Sequence, residues 1–360
     1  MTLRILLLNN YSMHRARLRY GQGLTAGQQL WGAAHLADFG IETLIPPYID
    51  TARGGLHADV SRFFKGPFVR QQIAACAMAG SVDLIYAACQ YNTRILAYLR
   101  SRNLLRIPLV ALIHHPVHPL EVPGLVAGHD RLLFLTQSAL ESVRRLAPDQ
   151  AGKLELIDWG ADLEFYPTWR PPEASERIRI VCAGKSKRDH DTLARALQGL
   201  PVNAEIFCSD VSAPEAGSVD ANTSVIITSS DQRKRSLQYH RDVIDAYVRS
   251  HIIAIPLQAT PMLAGLTSLL DAMAMGRAVI MTRNAPLDID VEREGFGITV
   301  EPGDVAGWRQ AILSLLQDPD RVAAMGRRAR ERVESRYNLG RFTASLAAAL
   351  KAAAGRDGQS

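Results

Sequence analysis

Short apolar runs, separated by stretches with helical spacing, recur along the whole sequence and restrict the folds it can adopt. Each run holds four to six residues and lacks polar alternation, as expected for parallel strands that are buried on both faces. In the first half the predicted strands are Leu3–Leu8, Glu42–Ile45, Asp83–Ala88, Pro108–Ile113 and Arg131–Thr136. In the second half they are Ile178–Ala183, Ala204–Cys208, Val225–Thr228, Ile252–Ile255 and Ala278–Met281. This alternation predicts the α/β class with parallel sheets.

The length of 360 residues favours two domains, because a single core rarely extends so far. The segment Asp158–Pro167 interrupts the periodicity and predicts a linker. We expect two Rossmann-like doubly wound domains that face each other across a cleft, with a ligand at the carboxyl ends of the strands. The N-terminal domain spans residues 1–163, the C-terminal domain spans 164–337, and a last helix with a tail follows over 338–360. The first predicted helix is Gly23–Phe39, ending at Gly40.

Composition excludes several classes of protein. The apolar run Ile5–Leu8 near the N-terminus is too short for a signal peptide or a membrane span. The four cysteines are scattered without metal-ligand spacing, so we expect reduced thiols and no metal site. These features predict a cytoplasmic protein.

Positive charge is concentrated in the first half of the chain. Residues 1–160 hold 16 Lys and Arg against 11 Asp and Glu, whereas the remainder holds 25 of each. No basic run alternates with stacking aromatic residues, so a nucleic-acid partner is not expected. The surplus predicts an anionic partner, either a membrane surface or a phosphorylated substrate. The segment Val60–Arg70, with three phenylalanines and three cations, is the candidate for peripheral contact with an anionic membrane, although its rings could equally be core.

The segment after the strand Ile252–Ile255 carries the richest chemistry. Gly265 opens a helix whose first residues include Leu266 and Thr267, and Asp271 follows in the second turn. A helix N-terminus offers free backbone N–H groups to a diphosphate, and a carboxylate one turn later can accept hydrogen bonds from ribose hydroxyls. The alternative is an ordinary βαβ crossover in which Asp271 is merely solvated.

Three other loops follow predicted strands. The loop at Gly184 carries Lys185 and Arg188, two cations that could stabilise a departing diphosphate or simply form a solvated basic turn. His114 and His115 follow the strand Pro108–Ile113, where they are either polar loop residues or part of a site. Gly23 belongs to a weak G-x-G pattern between the first strand and the predicted first helix, which could be no more than a tight turn.

The run GLTSLLDAMAMGRAVI, residues 265–280, resembles the signature of the group 1 retaining glycosyltransferases (family 4-like), which have the GT-B fold. In that family the signature is a Gly-rich loop, a helix carrying Glu-Ala-Met-Ala-x-Gly, and a strand beginning Pro/Ala-Val-Ile. Residues 157–167 resemble the family's interdomain G-V-D-x-x-x-F-x-P segment, and residues 182–193 resemble its strand, glycine and basic loop. The three segments occur in the family's order.

The resemblance implies particular roles for these residues. Asp271 would bind the nucleotide ribose, and the backbone amides of Gly265, Leu266 and Thr267 would bind the phosphates. A second set would complete the donor site: Gly184 with Lys185 and Arg188 at the diphosphate, Gly23 facing the phosphates and the acceptor, and His114, or alternatively His115, orienting the donor sugar. The last helix would pack back on the N-terminal domain.

The implied reaction is metal-independent transfer of a sugar from a UDP- or GDP-sugar to an unidentified acceptor, with retention of configuration and no cofactor. The sequence departs from the family where its first conserved Glu would fall, because Met262 and Leu263 are apolar. The second Glu is replaced by Asp271, and Lys185 stands where the family has Arg, which removes a bidentate fork. The alternative is therefore a catalytically weakened GT-B protein that acts as a binding or scaffold partner; an epimerase of the same fold is a third, less supported, interpretation.

Overall fold

The structure, a computed structural model, describes residues 2–47, 68–167, 169–171, 176–228 and 238–355. The chain divides into two compact units. The first unit comprises Met1–Trp159 together with Leu339–Ser360, and the second comprises Gly160–Asn338. Each unit contains one six-stranded sheet in which all paired strands are parallel. The predicted α/β class with two Rossmann-like sheets is confirmed.

The sheet of the first unit has the strand order β2-β1-β3-β4-β5-β6. Its strands are β1 (Leu3–Leu8), β2 (Ile41–Leu44), β3 (Leu84–Ala87), β4 (Leu109–Ile113), β5 (Arg131–Phe134) and β6 (Leu154–Leu156). The described helices of this unit are α1 (Met13–Gly21), α2 (Val69–Met78), α3 (Arg94–Ser101), α4 (Val122–Gly128), α5 (Gln137–Leu146) and, at the end of the chain, α11 (Leu339–Ala353). Strand order reverses beside β1, as in doubly wound sheets.

The sheet of the second unit has the strand order β12-β11-β10-β7-β8-β9. Its strands are β7 (Ile178–Ala183), β8 (Val202–Ser209), β9 (Thr223–Thr228), β10 (Ile252–Ile255), β11 (Ala278–Thr282) and β12 (Gly297–Val300). Its described helices are α6 (His190–Leu197), α7 (Gln238–Arg249), α8 (Leu266–Ala274), α9 (Val305–Leu316) and α10 (Pro319–Ser335).

The central strands are buried along their whole length, which explains their continuous apolar sequences. Every residue of β3, β4, β10 and β11 is buried. Two short strands, β6 and β12, have no counterpart among the predicted strands. Both lie at an edge of their sheet and keep partly exposed residues, so neither has a continuous apolar run that would mark it in the sequence.

The predicted helix over Gly23–Phe39 is wrong. The first helix is α1, which ends at Gly21, and the later residues form only two 3-10 turns, Gly27–Leu30 and Leu36–Phe39. Trp31 has φ 51°, a left-handed conformation that an α-helix cannot accommodate. Apolar residues at helical spacing here reflect burial of a turn-rich segment.

The last helix packs within the first unit. A β-carbon built at Gly32 would lie 2.6 Å from Cδ2 of Leu346 in α11, so glycine allows this close approach. Residues at the two ends of the second unit also meet each other. Ala161 forms a parallel bridge with Asn338, and the N–H of Ala161 donates to the carbonyl oxygen of Tyr337 at 2.8 Å. Within the described ranges, no helix is both long and apolar enough to cross a membrane.

We expect Gly128→Ala to destabilise the first unit, because α3 and α4 approach closely at this position. A β-carbon at Gly128 would lie 2.6 Å from both Cα and the carbonyl oxygen of Ala97, which are backbone atoms that cannot rotate away. Overpacking of this kind costs about 1–3 kcal/mol. Gly124→Ala in the same helix is the matched control, since a β-carbon there meets nothing within 4 Å. Urea unfolding that gives equal stabilities for the two variants would contradict the expectation.

Candidate functional site

The start of α8 lies after the carboxyl end of β10 and requires glycine. Gly265 caps the helix with φ 82°, and a β-carbon there would lie 3.2 Å from Cγ2 of Ile255 and from Cδ1 of Leu257. The first helical bond runs from the N–H of Leu269 to the carbonyl oxygen of Gly265. The amides of the preceding residues, Leu266 and Thr267 among them, have no acceptor within the helix, which makes this end suited to an anion.

Two polar side chains, one at the end of β11 and one just after it, hold the loop that leads into α8. The hydroxyl of Thr282 accepts a hydrogen bond from the N–H of Leu257 at 2.9 Å. The Oδ1 atom of Asn284 accepts from the N–H of Ala264 at 3.0 Å, and its Nδ2 donates to the carbonyl oxygen of Met262 at 3.1 Å. Sequence reasoning missed both residues. Their signal was available, because polar residues that follow a buried strand of a parallel sheet lie at its functional edge.

The loop after β7 brings Arg188 over Gly184. Gly184 has φ 147°, and a β-carbon there would lie 2.6 Å from the guanidinium carbon of Arg188. The Nη2 of Arg188 donates to the hydroxyl of Ser268 at 2.8 Å, and Nη1 donates to the carbonyl oxygen of Ser186 at 3.2 Å. Arg188 also forms an antiparallel bridge with Leu257. The basic loop is therefore fastened to the loop that leads into α8.

Ser268 connects these two predicted loops. Its hydroxyl accepts from Arg188 and donates to the carbonyl oxygen of Ala183, the last residue of β7, at 3.2 Å. It is buried in the first turn of α8. Sequence reasoning did not assign Ser268 a role. The structure brings together Gly184, Arg188 and the α8 start, whereas Lys185 lies half-buried beside them and the side chain of Thr267 is exposed.

Asp271 lies in the second turn of α8 and is bonded by a tyrosine. The hydroxyl of the buried Tyr166 donates to Oδ1 of Asp271 at 2.5 Å. The carboxyl keeps a small accessible edge, but the surrounding protein desolvates it and raises its pKa to about 6. The Tyr166 hydrogen bond and the charge of Arg188 oppose this rise. The carboxyl is thus enclosed yet able to ionise at neutral pH.

In the first unit, His114 is held in one tautomer. Its Nε2 lies 2.7 Å from the carbonyl oxygen of Ala88, which can only accept, so Nε2 carries the proton and Nδ1 is left as an acceptor. Burial lowers the pKa of His114 to about 4 and also lowers the pKa of His115. The backbone N–H groups of both histidines donate to Oε1 of Gln90, at 2.8 and 3.0 Å. His114 is therefore a neutral, oriented imidazole.

An aromatic group packs beside His114. The ring of Trp31 lies 4.6 Å from that of His114 and stacks on Trp159 at 4.7 Å between centroids. The indole N–H of Trp31 donates to the Tyr11 hydroxyl at 2.8 Å, and this hydroxyl donates to the carbonyl oxygen of Gln29 at 2.5 Å. These contacts were not expected from the sequence, and they fix the imidazole plane from one side.

Gly23 has a structural explanation. It follows α1 rather than preceding the first helix, and its N–H donates to the carbonyl oxygen of Tyr20 at 2.8 Å. The N–H of Leu24 donates to the carbonyl oxygen of Arg19 at 2.9 Å, which completes a Schellman motif. Glycine at this place closes the helix, and its role at the donor phosphates stays a prediction. Most of the predicted membrane segment, Val60–Arg70, lies outside the described residues.

The other predicted site residues are divided between the units. His114, His115 and Gly23 belong to the first, and the residues of the α8 start and the basic loop belong to the second. Among the side chains that the structure describes, no group of three or more His, Cys, Asp or Glu is placed to hold a metal ion. All four cysteines are free thiols.

Comparison with known proteins finds one matching family model and several similar solved structures. Residues 165–318 match the family model described as Glycosyl transferases group 1. A search of curated proteins found no match. Two of the similar solved structures are the Anabaena protein HepE in complex with UDP-glucose (14% identity, TM-score 0.63, 97% of this chain and 100% of that chain) and sucrose-phosphate synthase from Thermosynechococcus elongatus (15%, 0.66, 96% and 97%). A glycosyltransferase from Rickettsia africae is also similar (14%, 0.67, 98% and 98%).

The two sheets and these structural likenesses define a GT-B fold. Residues 165–318, which match the model of the group 1 glycosyltransferases, contain both the basic loop and α8. The resemblance inferred from the sequence motifs is confirmed.

The raised pKa of Asp271 makes a prediction about stability. The protonated carboxyl is favoured in the folded protein, so this contribution is fully present below about pH 4 and is lost as the pH rises through about 6. Asp271→Asn keeps an acceptor for Tyr166 and cannot ionise. We expect the variant to gain roughly 3 kcal/mol relative to wild type between acidic and neutral pH, measured by urea unfolding across that range. A stability difference that does not vary with pH would contradict the assignment.

Proposed function

We propose that the protein transfers a sugar from a UDP- or GDP-sugar to an acceptor, with retention of configuration and without a metal ion. The observation that carries the proposal is the convergence of Arg188, the start of α8 and Asp271 within the second unit. A cation and free amides suit a diphosphate, and an enclosed carboxylate suits a ribose. Retention is inferred from the family resemblance. A metal is not required by this proposal because the cation and the amides can bind the diphosphate themselves.

The diphosphate would lie against the first turn of α8. The amides of Gly265, Leu266 and Thr267 supply hydrogen-bond donors whose helix dipole favours an anion. Arg188, held by Ser268, and the neighbouring Lys185 supply positive charge. Charge on the leaving nucleoside diphosphate grows as the glycosidic bond breaks, so fixed cations stabilise the transition state more than the bound donor.

The ribose would bind to Asp271, and the donor sugar would be oriented by His114. A neutral imidazole whose Nε2–H is committed to Ala88 can accept a hydrogen bond from a sugar hydroxyl through Nδ1. With a pKa of about 4, His114 is a poor base at neutral pH, so its proposed role is orientation. His115 remains the alternative, because its Nδ1 is buried without a hydrogen-bond partner in the described part of the chain.

The acceptor is proposed to meet the first unit, which carries the basic surplus of the sequence. Either a soluble phosphorylated compound or a group at an anionic membrane fits this charge. A cytoplasmic location is supported by the four free thiols.

We expect Asp271→Ala to weaken binding of UDP-glucose or its GDP counterpart by about 1.5–3 kcal/mol, the usual contribution of hydrogen bonds to a charged group. UDP-glucose is the first probe because HepE was solved with it. The control is Asp320→Ala, an exposed carboxylate in α10. Isothermal titration calorimetry that finds equal affinities for Asp271→Ala and wild type would remove Asp271 from the site.

We expect Arg188→Lys to lower turnover by roughly tenfold or more while changing donor affinity little. Lysine keeps the charge but loses the planar fork that bonds to Ser268 and Ser186 together. Because Arg188 is buried, the urea unfolding midpoint of the variant is measured first. The turnover is compared only if this midpoint equals that of wild type. If donor affinity falls as much as turnover, Arg188 acts on the bound donor and not on the leaving group.

The second candidate function is a binding or scaffold protein with weakened catalysis. It is favoured by one observation: the loop before α8 presents Met262 and Leu263 where the family has its first Glu. Release of nucleoside diphosphate from the donor, with and without a pool of cell metabolites and lipids as acceptors, separates the candidates. Acceptor-dependent release that survives EDTA supports the transferase, and tight donor binding without release supports the alternative.

A further inference from the structure

The segment that enters the second unit runs along the nucleotide-binding helix α8. Its Tyr166 hydroxyl donates to Asp271 in the second turn, and the indole N–H of Trp169 donates to the carbonyl oxygen of Gly276 at 3.4 Å, just past the helix end. Arg277 then donates to the carbonyl oxygen of Arg170 at 3.0 Å. Residues 166–170 are thus hydrogen-bonded to the second turn of α8 and to the two residues Gly276 and Arg277 that follow the helix. Within this segment, Tyr166 makes the contact with the proposed ribose site.

One departure from the family pattern lies at this contact, because Asp271 stands where the family helix carries glutamate. The hydroxyl of Tyr166 bonds to this shorter carboxylate.

We propose, on the basis of the function proposed above, that Tyr166 is a positioning residue for donor recognition. Its hydroxyl fixes the plane of the Asp271 carboxylate and favours the ionised form that ribose hydroxyls require. The hydrogen bond occupies Oδ1, whereas Oδ2 has no hydrogen-bond partner among the residues that the structure describes. Oδ2 is therefore the atom offered to the ribose.

Few charged groups face Asp271, so the effect of Tyr166 can be isolated. From the loop after β7, Arg188 acts on the carboxylate, and α8 itself carries no other titratable residue. From α10, Arg330 donates to the carbonyl oxygen of Ala274 at the far end of α8 and pairs with Glu334 at 2.6 Å. The neighbouring strands β10 and β11 contribute no charged side chain.

The test is the pH dependence of UDP-glucose binding in wild type and in Tyr166→Phe. Both phosphates of UDP-glucose are esterified, so the ligand does not titrate near pH 6. In wild type, affinity should fall as Asp271 becomes protonated below about pH 6. Removing a hydrogen bond to a charged group raises the pKa of that group, so the midpoint should move up by about one pH unit in Tyr166→Phe. The variant should therefore bind more weakly near pH 6 and approach wild type near pH 8.

The matched control is Tyr337→Phe. It also removes a hydroxyl from a buried tyrosine of the second unit, but this hydroxyl lies 3.5 Å from Glu294 and not beside Asp271. Asp271→Asn completes the set, because it should abolish the pH dependence in this range altogether. A structural role for Tyr166 would lower affinity equally at every pH, whereas positioning moves the midpoint.

The ligand-free protein supplies a second measurement. Nuclear magnetic resonance of 13C-labelled aspartate, with the Asp271 signal identified by its loss in Asp271→Asn, follows the carboxyl directly. An upward shift of its titration in Tyr166→Phe, together with the shifted binding midpoint, supports the proposal; an unchanged titration overturns it. If wild type binds no nucleotide sugar, the proposed function fails and the proposal about donor recognition fails with it. If wild type binds and only the midpoint of Tyr166→Phe stays unchanged, the proposal alone is overturned.

Discussion

The packing of one guanidinium on one glycine organises the second unit. Arg188 can lie across Gly184 only because that residue has no side chain, and from there it reaches Ser268 in the first turn of α8. Ser268 returns a bond to the last residue of β7. Two loops from neighbouring strands are thereby joined at the carboxyl edge of the sheet. A buried charge that is hydrogen-bonded on both sides is costly to misplace.

Around this centre the proposed site contains two kinds of group: side chains held by hydrogen bonds to each other, and a carboxyl group whose ionisation changes with pH. Arg188 packs on Gly184 and is hydrogen-bonded to Ser268. Asp271 differs, because burial holds its pKa near 6 while Tyr166 and Arg188 oppose that rise. At neutral pH the ionised Asp271 lowers the stability of the folded protein, because burial leaves its carboxylate poorly hydrated. In the proposed function, this poorly hydrated carboxylate is the group that accepts hydrogen bonds from the ribose. The proposed function depends on this compromise.

The core strands could be predicted from the sequence because a strand buried on both faces must be continuously apolar, as β3, β4, β10 and β11 are. The edge strands β6 and β12 lack that requirement and were missed. The failed helix over Gly23–Phe39 had the right periodicity, but the left-handed Trp31 leaves no trace in a hydrophobic pattern.

For the candidate site, motif positions identified Gly184, Arg188 and Asp271. They could not identify Ser268 or Tyr166, whose partners are distant in sequence: the Tyr166 and Asp271 contact joins residues 105 positions apart. Such pairs follow from three-dimensional packing, and a single sequence carries no signal for them. His114 shows the same limit, because its bond to Ala88 sets its tautomer and lies 26 positions away.

The bridge between Ala161 and Asn338 has a consequence for the history of the chain. The two ends of the second unit lie side by side. A segment with that geometry can be inserted into a host or removed from it without stretching either chain. In this geometry, residues 160–338 form one continuous segment that a single gene rearrangement can insert or remove as a whole.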